Sequence, residues 1–266
     1  MTDEPILLAE RSGSWLTLSF NAPGSRNALS DAMVAALTEA LTSAREDRGL
    51  RGITLRGRGG VFCAGGDLKA FRRITSGAQT VEQVAEFSLA AGRLFRLVET
   101  QPQVVVALVE GAAMAGGLGI LCACDVVAVT RDAKFALTET MIGIPPAQIA
   151  PYVVGRVGLA EARRIMLTGA RFDGTEAGRI GIANAMVDDT AGLDAFEAEI
   201  RKGVLRCAPG ANAATKEILL AASTLDHDAM TRFAGDRFAR CLLGEEGSEG
   251  VASFLEKRKP AWAEAD

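Results

Sequence analysis

Two glycine-rich segments are the first candidates for chemistry, because each follows a hydrophobic run and precedes a predicted helix. They span residues 57–68 and 111–119. Glycine lets a ligand approach the backbone closely, and the first N–H groups of a helix point outward with a partial positive charge. Two such turns on neighbouring strands would direct two N–H donors at one oxygen. This is an oxyanion hole, in which each donor contributes about 10²- to 10³-fold to the rate; tight packing of helix on strand is the alternative explanation.

The sequence motifs of several other kinds of catalytic centre are absent from this chain. His227 is the only histidine, which argues against a histidine-ligated metal centre; its place between two aspartates at a predicted helix start indicates a capping environment. There is no G-x-x-x-x-G-K-[ST] phosphate loop and no G-x-S-x-G nucleophile turn. The glycine pairs at 57–59 and 117–119 lack the third glycine of a dinucleotide-binding loop. We therefore expect no metal site.

Composition and charge place the chain among soluble cytoplasmic proteins. Its 266 residues are 48% hydrophobic and 23% charged, which suits one large domain or one domain with a helical appendage. A net charge of −4 gives no electrostatic reason to expect nucleic acid or an anionic membrane as partner. The N-terminus has no apolar signal core, and the longest uncharged apolar stretch, residues 111–124, is too short to cross a bilayer. The five cysteines form no C-x-x-C pair, so we expect them to be buried thiols in a reducing cytosol.

The hydrophobic pattern alternates strand and helix in the first half of the chain and is nearly all helical after Leu159. Ser30 is the predicted N-cap of a helix that ends near Arg45. A polar stretch at 72–86 predicts a mobile connection, and Pro102 ends the helix that follows it. The predicted strands are 6–9, 15–20, 53–55, 104–109 and 126–130, and the predicted later helices are 87–98, 160–167, 196–206, 211–222, 229–243 and 250–257.

Five short motifs occur in order over nearly the whole chain. They are Arg26-Asn27-Ala28-Leu29, Phe62-Cys63-Ala64-Gly65-Gly66-Asp67-Leu68, Gly111-Ala112-Ala113-Met114-Ala115-Gly116-Gly117-Leu118 with Cys124-Asp125, Phe135-Ala136-Leu137-Thr138-Glu139 with Gly143 and Pro145, and Phe254-Leu255-Glu256-Lys257-Arg258. Together they resemble the motifs of the enoyl-CoA hydratase/isomerase (crotonase) superfamily, in which the second reads F-x-A-G-x-D-[LI].

The resemblance implies an α/β fold, a crotonase-type ββα spiral core with a C-terminal α-helical trimerisation layer. Residues 1–205 would form the core with the CoA and acyl sites, and residues 206–266 the helical oligomerisation region. The implied assembly is a homotrimer or a hexamer built from two trimers. Coenzyme A would enter as part of an acyl-CoA thioester substrate, and no separate cofactor is expected.

The resemblance also assigns roles to individual residues. The backbone N–H groups of Gly66 and Gly116 would bind the thioester oxygen and stabilise it as enolate character develops. Glu139 would move a proton at or near the acyl α-carbon, and an apolar setting would raise its pKa toward neutrality. Lys257 would reach CoA at a subunit boundary, with a solvated charge at a helix end as the alternative. The implied contacts along the CoA phosphates, adenine and pantetheine are Arg26, Ala28, Ala64, Asp67 and Leu68.

One position departs from the two-glutamate hydratases of the family. Their second carboxylate follows the oxyanion-hole glycine by three residues, where this chain has Gly119. The leading interpretation is hydration of a 2-enoyl-CoA, branched or carboxylated, with Glu139 as the one acid–base group. Isomerisation of a Δ3- to a Δ2-enoyl-CoA by the same residues is the first alternative. Acyl-CoA hydrolysis or decarboxylation, and an inactive acyl-CoA- or RNA-binding paralogue, are further alternatives.

The segment after the fourth motif favours hydration. Residues 144–153 resemble the P-A-x-I-x-P-[YF]-V stretch of single-glutamate members, which include methylglutaconyl-CoA and isohexenylglutaconyl-CoA hydratases. Within it, Gln148 would hold water or a substrate carboxylate, or else cap or pack a helix.

Overall fold

A six-stranded sheet forms the centre of the computed structural model, which describes residues 4–263. Its first two strands form the predicted antiparallel hairpin, and all other neighbours are parallel. A strand with parallel neighbours on both sides is usually covered on both faces, and residues 105–109 of the fourth strand are accordingly buried. In spatial order the strands are β1 (Leu7–Ser12), β2 (Trp15–Phe20), β3 (Gly52–Gly57), β4 (Val104–Val109), β6 (Val126–Thr130) and β9 (Ala185–Val187).

A second, three-stranded sheet lies at the end of β4. It consists of β5 (Ala112–Met114), β7 (Lys134–Ala136) and β8 (Arg171–Asp173). The strands β8 and β9 correct the expectation that the chain is nearly all helical after Leu159. Three-residue strands are too short to show alternation of apolar and polar side chains, so the hydrophobic pattern did not reveal them.

The first helix is confirmed with its cap. It is α1 (Asp31–Glu46), and the Ser30 hydroxyl accepts a hydrogen bond from the Met33 N–H at 3.3 Å. The remaining helices are α2 (Leu68–Thr75), α3 (Val81–Glu99), α4 (Gly116–Ala123), α5 (Ala150–Thr168), α6 (Gly174–Arg179), α7 (Thr190–Arg206), α8 (Pro209–Ala221), α9 (His227–Leu243) and α10 (Glu245–Leu255). None of the helices within residues 4–263 is long and apolar enough to cross a membrane.

The connection predicted at 72–86 is largely helical, and its mobility stays a prediction. The end of α2 and the start of α3 occupy most of it, and α3 begins at Val81. A reciprocal cap stabilises that start, because the Gln83 N–H donates to the Thr80 hydroxyl at 3.4 Å and the Thr80 N–H donates to the Gln83 side chain at 3.0 Å. Residues 81–86 of α3 are exposed, and Val81 and Val84 are the only large apolar residues among them, which is too short a pattern to predict a helix.

Several later helices start earlier than predicted, and α5 is longer. Gly158 has φ +74° and interrupts α5, so the predicted helix at 160–167 is only the second part of this element. The N-terminal turns of α7, α9 and α10 are polar or small, which hid them from the apolar pattern. Asp226 caps α9 by accepting from the Ala229 N–H at 2.8 Å, and His227 is the first helical residue, as its sequence setting predicted.

The prediction that the cysteines are buried is confirmed for three of the five. The thiols of Cys63, Cys122 and Cys124 are buried, and burial raises the pKa of Cys63 and of Cys122 to about 12. Cys207 is exposed and Cys241 is partly exposed, which corrects the prediction that all five are buried.

The C-terminal helices are tied to the sheet by a charged side chain. Lys216 of α8 donates to the Asp125 carboxylate at 2.5 Å and to the Gln103 carbonyl at 2.7 Å. Asp125 also accepts from the Val105 N–H at 2.7 Å, so one carboxylate joins α8 to the start of β4. The division of the chain at residue 205 and the oligomeric role of residues 206–266 stay predictions.

Asn27 holds two loops together from a fully buried position. Its side-chain oxygen accepts from the Ala22 N–H at 2.8 Å, and its amide donates to the carbonyls of Arg58 at 2.9 Å and Val61 at 2.6 Å. The backbone of Asn27 has φ +55°, a conformation that asparagine tolerates better than most residues. These bonds fix the loop that follows β3 against the turn at Pro23–Ser25.

We predict that Asn27→Ala lowers the free energy of unfolding by about 3 kcal/mol, because buried polar groups lose their partners and alanine is strained at positive φ. Denaturant titration measures the change. The control is Asn212→Ala on α8, whose side chain makes no hydrogen bond within residues 4–263. Equal unfolding midpoints for the two variants would contradict the role given to Asn27.

Candidate active site

The two glycine-rich segments meet at the same edge of the main sheet. They follow β3 and β4, which are adjacent and parallel, so their carboxyl ends lie side by side. The Cys63 N–H donates to the Ala112 carbonyl at 3.1 Å, and the Met114 N–H donates to the Cys63 carbonyl at 2.9 Å. Residues of the first segment therefore pair directly with β5 of the second, as two turns aimed at one oxygen require.

The two segments approach each other closely at Gly65. A Cβ atom there would lie 2.7 Å from the Ala115 Cβ and 2.8 Å from the Met114 carbonyl oxygen, and Gly65 has φ +90°. Any side chain would push the two turns apart. A Cβ built on Gly116 would lie 3.9 Å from the Gly66 nitrogen, so the backbone nitrogens of these two glycines occupy neighbouring positions.

Both of these N–H groups are free to bind a ligand. Among residues 4–263, no protein atom accepts a hydrogen bond from the N–H of Gly66 or of Gly116. Gly116 is the first residue of α4, where helix N–H groups have no internal partner. Ala115 before it has φ +48° and ψ −120°, a strained conformation held in part by its N–H bond to the Ala136 carbonyl at 2.9 Å. Two free N–H groups in neighbouring positions are what an oxyanion hole requires.

Most of the predicted CoA contacts lie around this hole. The Ala64 N–H donates to the Arg26 carbonyl at 3.0 Å, and the Leu29 N–H donates to the Gly65 carbonyl at 2.8 Å. The segment that contains Arg26 and Ala28 therefore runs beside Ala64 and Gly66. Arg26 is exposed, which leaves its guanidinium open to an anionic group.

Two further predicted contacts lie at the start of α2. The Asp67 carboxylate caps this helix by accepting from the Lys69 N–H at 2.8 Å, a structural role that the motif did not reveal. Leu68 is 64% exposed and can pack against a ligand.

Lys257 lies in a different part of the structure. It borders a cavity of about 810 Å³ beside α7, together with Arg201, Lys202 and Arg206. Its predicted contact with CoA, at a subunit boundary, stays a prediction.

Glu139 is brought to the start of α4 by the second sheet. β7 pairs with β5, and Ala136 at the end of β7 bonds to Ala115, so the chain leaves β7 beside the first turn of α4. Glu139 follows directly, at the start of a 3₁₀ turn, Glu139–Ile142. Burial raises the pKa of the Glu139 carboxyl above its usual value of 4.5. Its Oε2 atom is buried without a hydrogen-bond partner, a costly state that is typical of catalytic acids and bases.

The position of the missing second carboxylate has no room for a side chain. A Cβ on Gly119 would lie 2.2 Å from Ile149 Cγ2 and 2.8 Å from Ile149 Cβ. Gln148 is turned toward α3, where its amide donates to the Ser88 hydroxyl at 3.1 Å. A Cβ on Gly92 of the same helix would lie 2.4 Å from the Gln148 side-chain oxygen. The structure thus gives Gln148 the packing role that its sequence left open.

Sequence reasoning missed two residues that shape this site. Asn27 stood inside a recognised motif, but nothing in the sequence showed that its amide joins two loops. Ile149 stood inside the segment at 144–153, but its contact with Gly119 links positions far apart in the chain and leaves no local pattern.

Comparisons with known proteins agree with this geometry. The family model described as enoyl-CoA hydratase/isomerase matches residues 10–265. The structure of Pseudomonas aeruginosa AtuE shares 45% identity with a TM-score of 0.93, covering 97% of this chain and 100% of that one. An enoyl-CoA hydratase/isomerase from Marinobacter aquaeolei shares 38% identity with a TM-score of 0.92, covering 97% and 99% of the two chains.

A human protein is also similar in sequence. Enoyl-CoA hydratase domain-containing protein 2, mitochondrial, is 32% identical over 245 residues, which are 90% of this chain and 82% of the relative. The spiral α/β fold that the motifs implied is confirmed by the solved structures. With a family match over residues 10–265 and a relative 32% identical over 90% of this chain, the chain belongs to the enoyl-CoA hydratase/isomerase (crotonase) family and is an enzyme that acts on an acyl-CoA thioester.

Proposed function

We propose that this protein adds water across the 2,3 double bond of a 2-enoyl-CoA. The observation that carries the proposal is the Glu139 carboxyl, which has an unpartnered buried oxygen and stands beside the turn that bears the free Gly116 N–H. A carboxylate with a raised pKa and two N–H donors are the groups that this reaction needs.

The oxyanion hole acts on the thioester oxygen. As water attacks C3, negative charge moves through C2 to that oxygen, and the N–H groups of Gly66 and Gly116 hold it there. They are fixed by the backbone, so they need no reorganisation when the charge develops. Their bonds are stronger to the enolate than to the neutral carbonyl, and this difference lowers the barrier.

Glu139 moves both protons in the proposed mechanism. Its ionised carboxylate takes a proton from water as the water oxygen bonds to C3, and the resulting carboxylic acid returns a proton to C2. The product gains H at C2 and OH at C3, and Glu139 ends ionised. A carboxylate whose pKa lies above the usual value is a stronger base in its ionised form.

Isomerisation is the second candidate, and the packing at Gly119 favours it. Ile149 fills the place of a second carboxylate, and moving a proton from C2 to C4 of a 3-enoyl-CoA needs only one. In that reaction Glu139 would remove the C2 proton and return a proton to C4, with the same two N–H groups holding the enolate.

The proposal also covers CoA binding, the cofactor, the localisation and the assembly of the enzyme. CoA is bound as part of the substrate along Arg26, Ala28, Ala64, Asp67 and Leu68, with Lys257 at a subunit boundary, and no separate cofactor takes part. We also propose a cytoplasmic homotrimer or hexamer. Support comes from large apolar side chains exposed on α9 and α10, which would be covered by other subunits: Phe238, Leu243, Phe254 and Leu255.

Glu139→Gln is predicted to lower the rate of water addition by about 10²- to 10⁴-fold, because the amide can neither accept nor return the proton. Mass spectrometry of a 2-enoyl-CoA panel that includes crotonyl-CoA and 3-methylglutaconyl-CoA measures the gain of one water. The matched control is Glu39→Gln on the exposed face of α1.

A wild type that adds water to no member of the panel would overturn the hydratase. Incubation with 3-enoyl-CoA would then identify the isomerase, because the product keeps its mass but carries the ultraviolet absorbance of a conjugated 2-enoyl thioester. Unchanged hydration by Glu139→Gln would remove Glu139 from the mechanism.

The proposed mechanism predicts that the activity of the enzyme falls at acid pH. Glu139 must be ionised to accept the proton from water, and burial raises its pKa above 4.5. We predict that kcat/KM falls with falling pH around a midpoint above 4.5, higher than an exposed glutamate would give. Initial rates of hydration across the acid range, on enzyme shown to stay folded, measure it. A midpoint at or below the ordinary value would contradict the burial of this carboxyl in the working enzyme.

A further inference from the structure

The space that a second carboxylate would need is filled by a side chain from another element. Ile149 lies at the start of α5 and is 4% exposed. Its Cγ2 would lie 2.2 Å from a Cβ on Gly119, and Phe95 Cε1 of α3 would lie 3.5 Å from the same point. The place of a side chain at 119 is therefore apolar and closed.

The geometry of α4 places this closed space near the oxyanion hole. Residues 116 and 119 are separated by three positions, so they share one face of the helix. Side chains on a helix tilt toward its N-terminus, so a side chain at 119 would lean toward the turn that bears the Gly116 N–H. The Ile149 methyl group occupies that direction instead.

Neighbouring contacts hold Ile149 in this position. Gln148 is bonded to Ser88 of α3, and Tyr152 packs against Phe95 of the same helix with ring centroids 5.9 Å apart. The Ile149 carbonyl accepts from the Val153 N–H at 3.1 Å, which starts the helical bonding of α5. The side chain is thus clamped between α3 and α4.

We propose that Ile149 is a specificity-determining residue that closes the α4 side of the acyl site. It keeps the site to one carboxylate, and it excludes methyl substituents at C2 or C3 that would point toward α4. The thioester oxygen lies at the Gly116 N–H, so C2 and C3 are the next atoms of the substrate to pass this wall. The inference rests on the proposed use of the oxyanion hole for an enoyl-CoA.

A double-mutant cycle of Gly119→Ala and Ile149→Ala, measured as Tm, tests the packing independently of activity. Gly119→Ala should lower Tm by about 4 °C or more, because the new methyl group meets Ile149. In an Ile149→Ala background the same change should leave Tm unchanged or raise it, since alanine favours helix over glycine. Gly203→Ala on α7 is the control, because a Cβ there meets no atom within 4 Å. An equal loss from Gly119→Ala in both backgrounds would overturn the contact.

Substrate preference tests the functional part. In Ile149→Ala, the ratio of kcat/KM for 2-methyl- or 3-methylcrotonyl-CoA to that for crotonyl-CoA should rise about tenfold or more for at least one of the branched substrates. Ile165→Ala is the matched control, since Ile165 lies on the same helix and is fully buried. It should leave both ratios unchanged, because a loss of stability alone does not alter preference.

The outcomes separate this inference from the proposed function. Ratios in Ile149→Ala within roughly twofold of wild type would overturn the inference while hydration stands. A wild type that hydrates none of these substrates and no member of the 2-enoyl-CoA panel would overturn the proposed function. The double-mutant cycle would then still decide the packing, and the ratios would be taken from the rates of isomerisation of 3-enoyl-CoA and its 2-methyl derivative.

Discussion

The close backbone approach at Gly65 is the constraint on which the site depends. A single Cβ at this position would collide with Ala115 and with the Met114 carbonyl, and the two N–H donors would separate. The rest of the architecture serves that approach. Parallel pairing of β3 with β4 brings the two loops to one edge, the Asn27 amide fixes the first loop, and the bond from Ala115 to Ala136 fixes the second.

The same edge carries a group that folding alone would not favour. Glu139 holds a buried oxygen without a partner, and burial raises its pKa. Such a group destabilises the fold in its ionised form, and functional sites are where this cost is usually found. Gly119 differs from Glu139 in this respect. The place where two-glutamate hydratases carry a second carboxylate is filled by the apolar side chain of Ile149. The proposed site therefore combines one carboxylate with one apolar wall.

Local patterns predicted the parts of the structure that local physics determines. The hairpin, the Ser30 cap and the buried strand at 104–109 followed from alternation, capping and β-branched runs. The start of α3 was missed because only Val81 and Val84 are large and apolar in an otherwise polar, exposed segment. The motifs located the glycines and Glu139. The contact of Ile149 with Gly119 and the bonds of Asn27 could not be predicted, because they join residues distant in sequence through one side chain each.

The proposed oxyanion hole can be tested directly by infrared spectroscopy of a bound crotonyl-CoA labelled with ¹³C at its thioester carbonyl. Glu139→Gln is the enzyme of choice, because it removes the proton transfer and leaves both backbone donors in place. Two N–H bonds to the oxygen weaken the C=O bond, so the stretching frequency should fall well below that of the free thioester in water. A bound carbonyl with the frequency of the free thioester would contradict the assignment of Gly66 and Gly116.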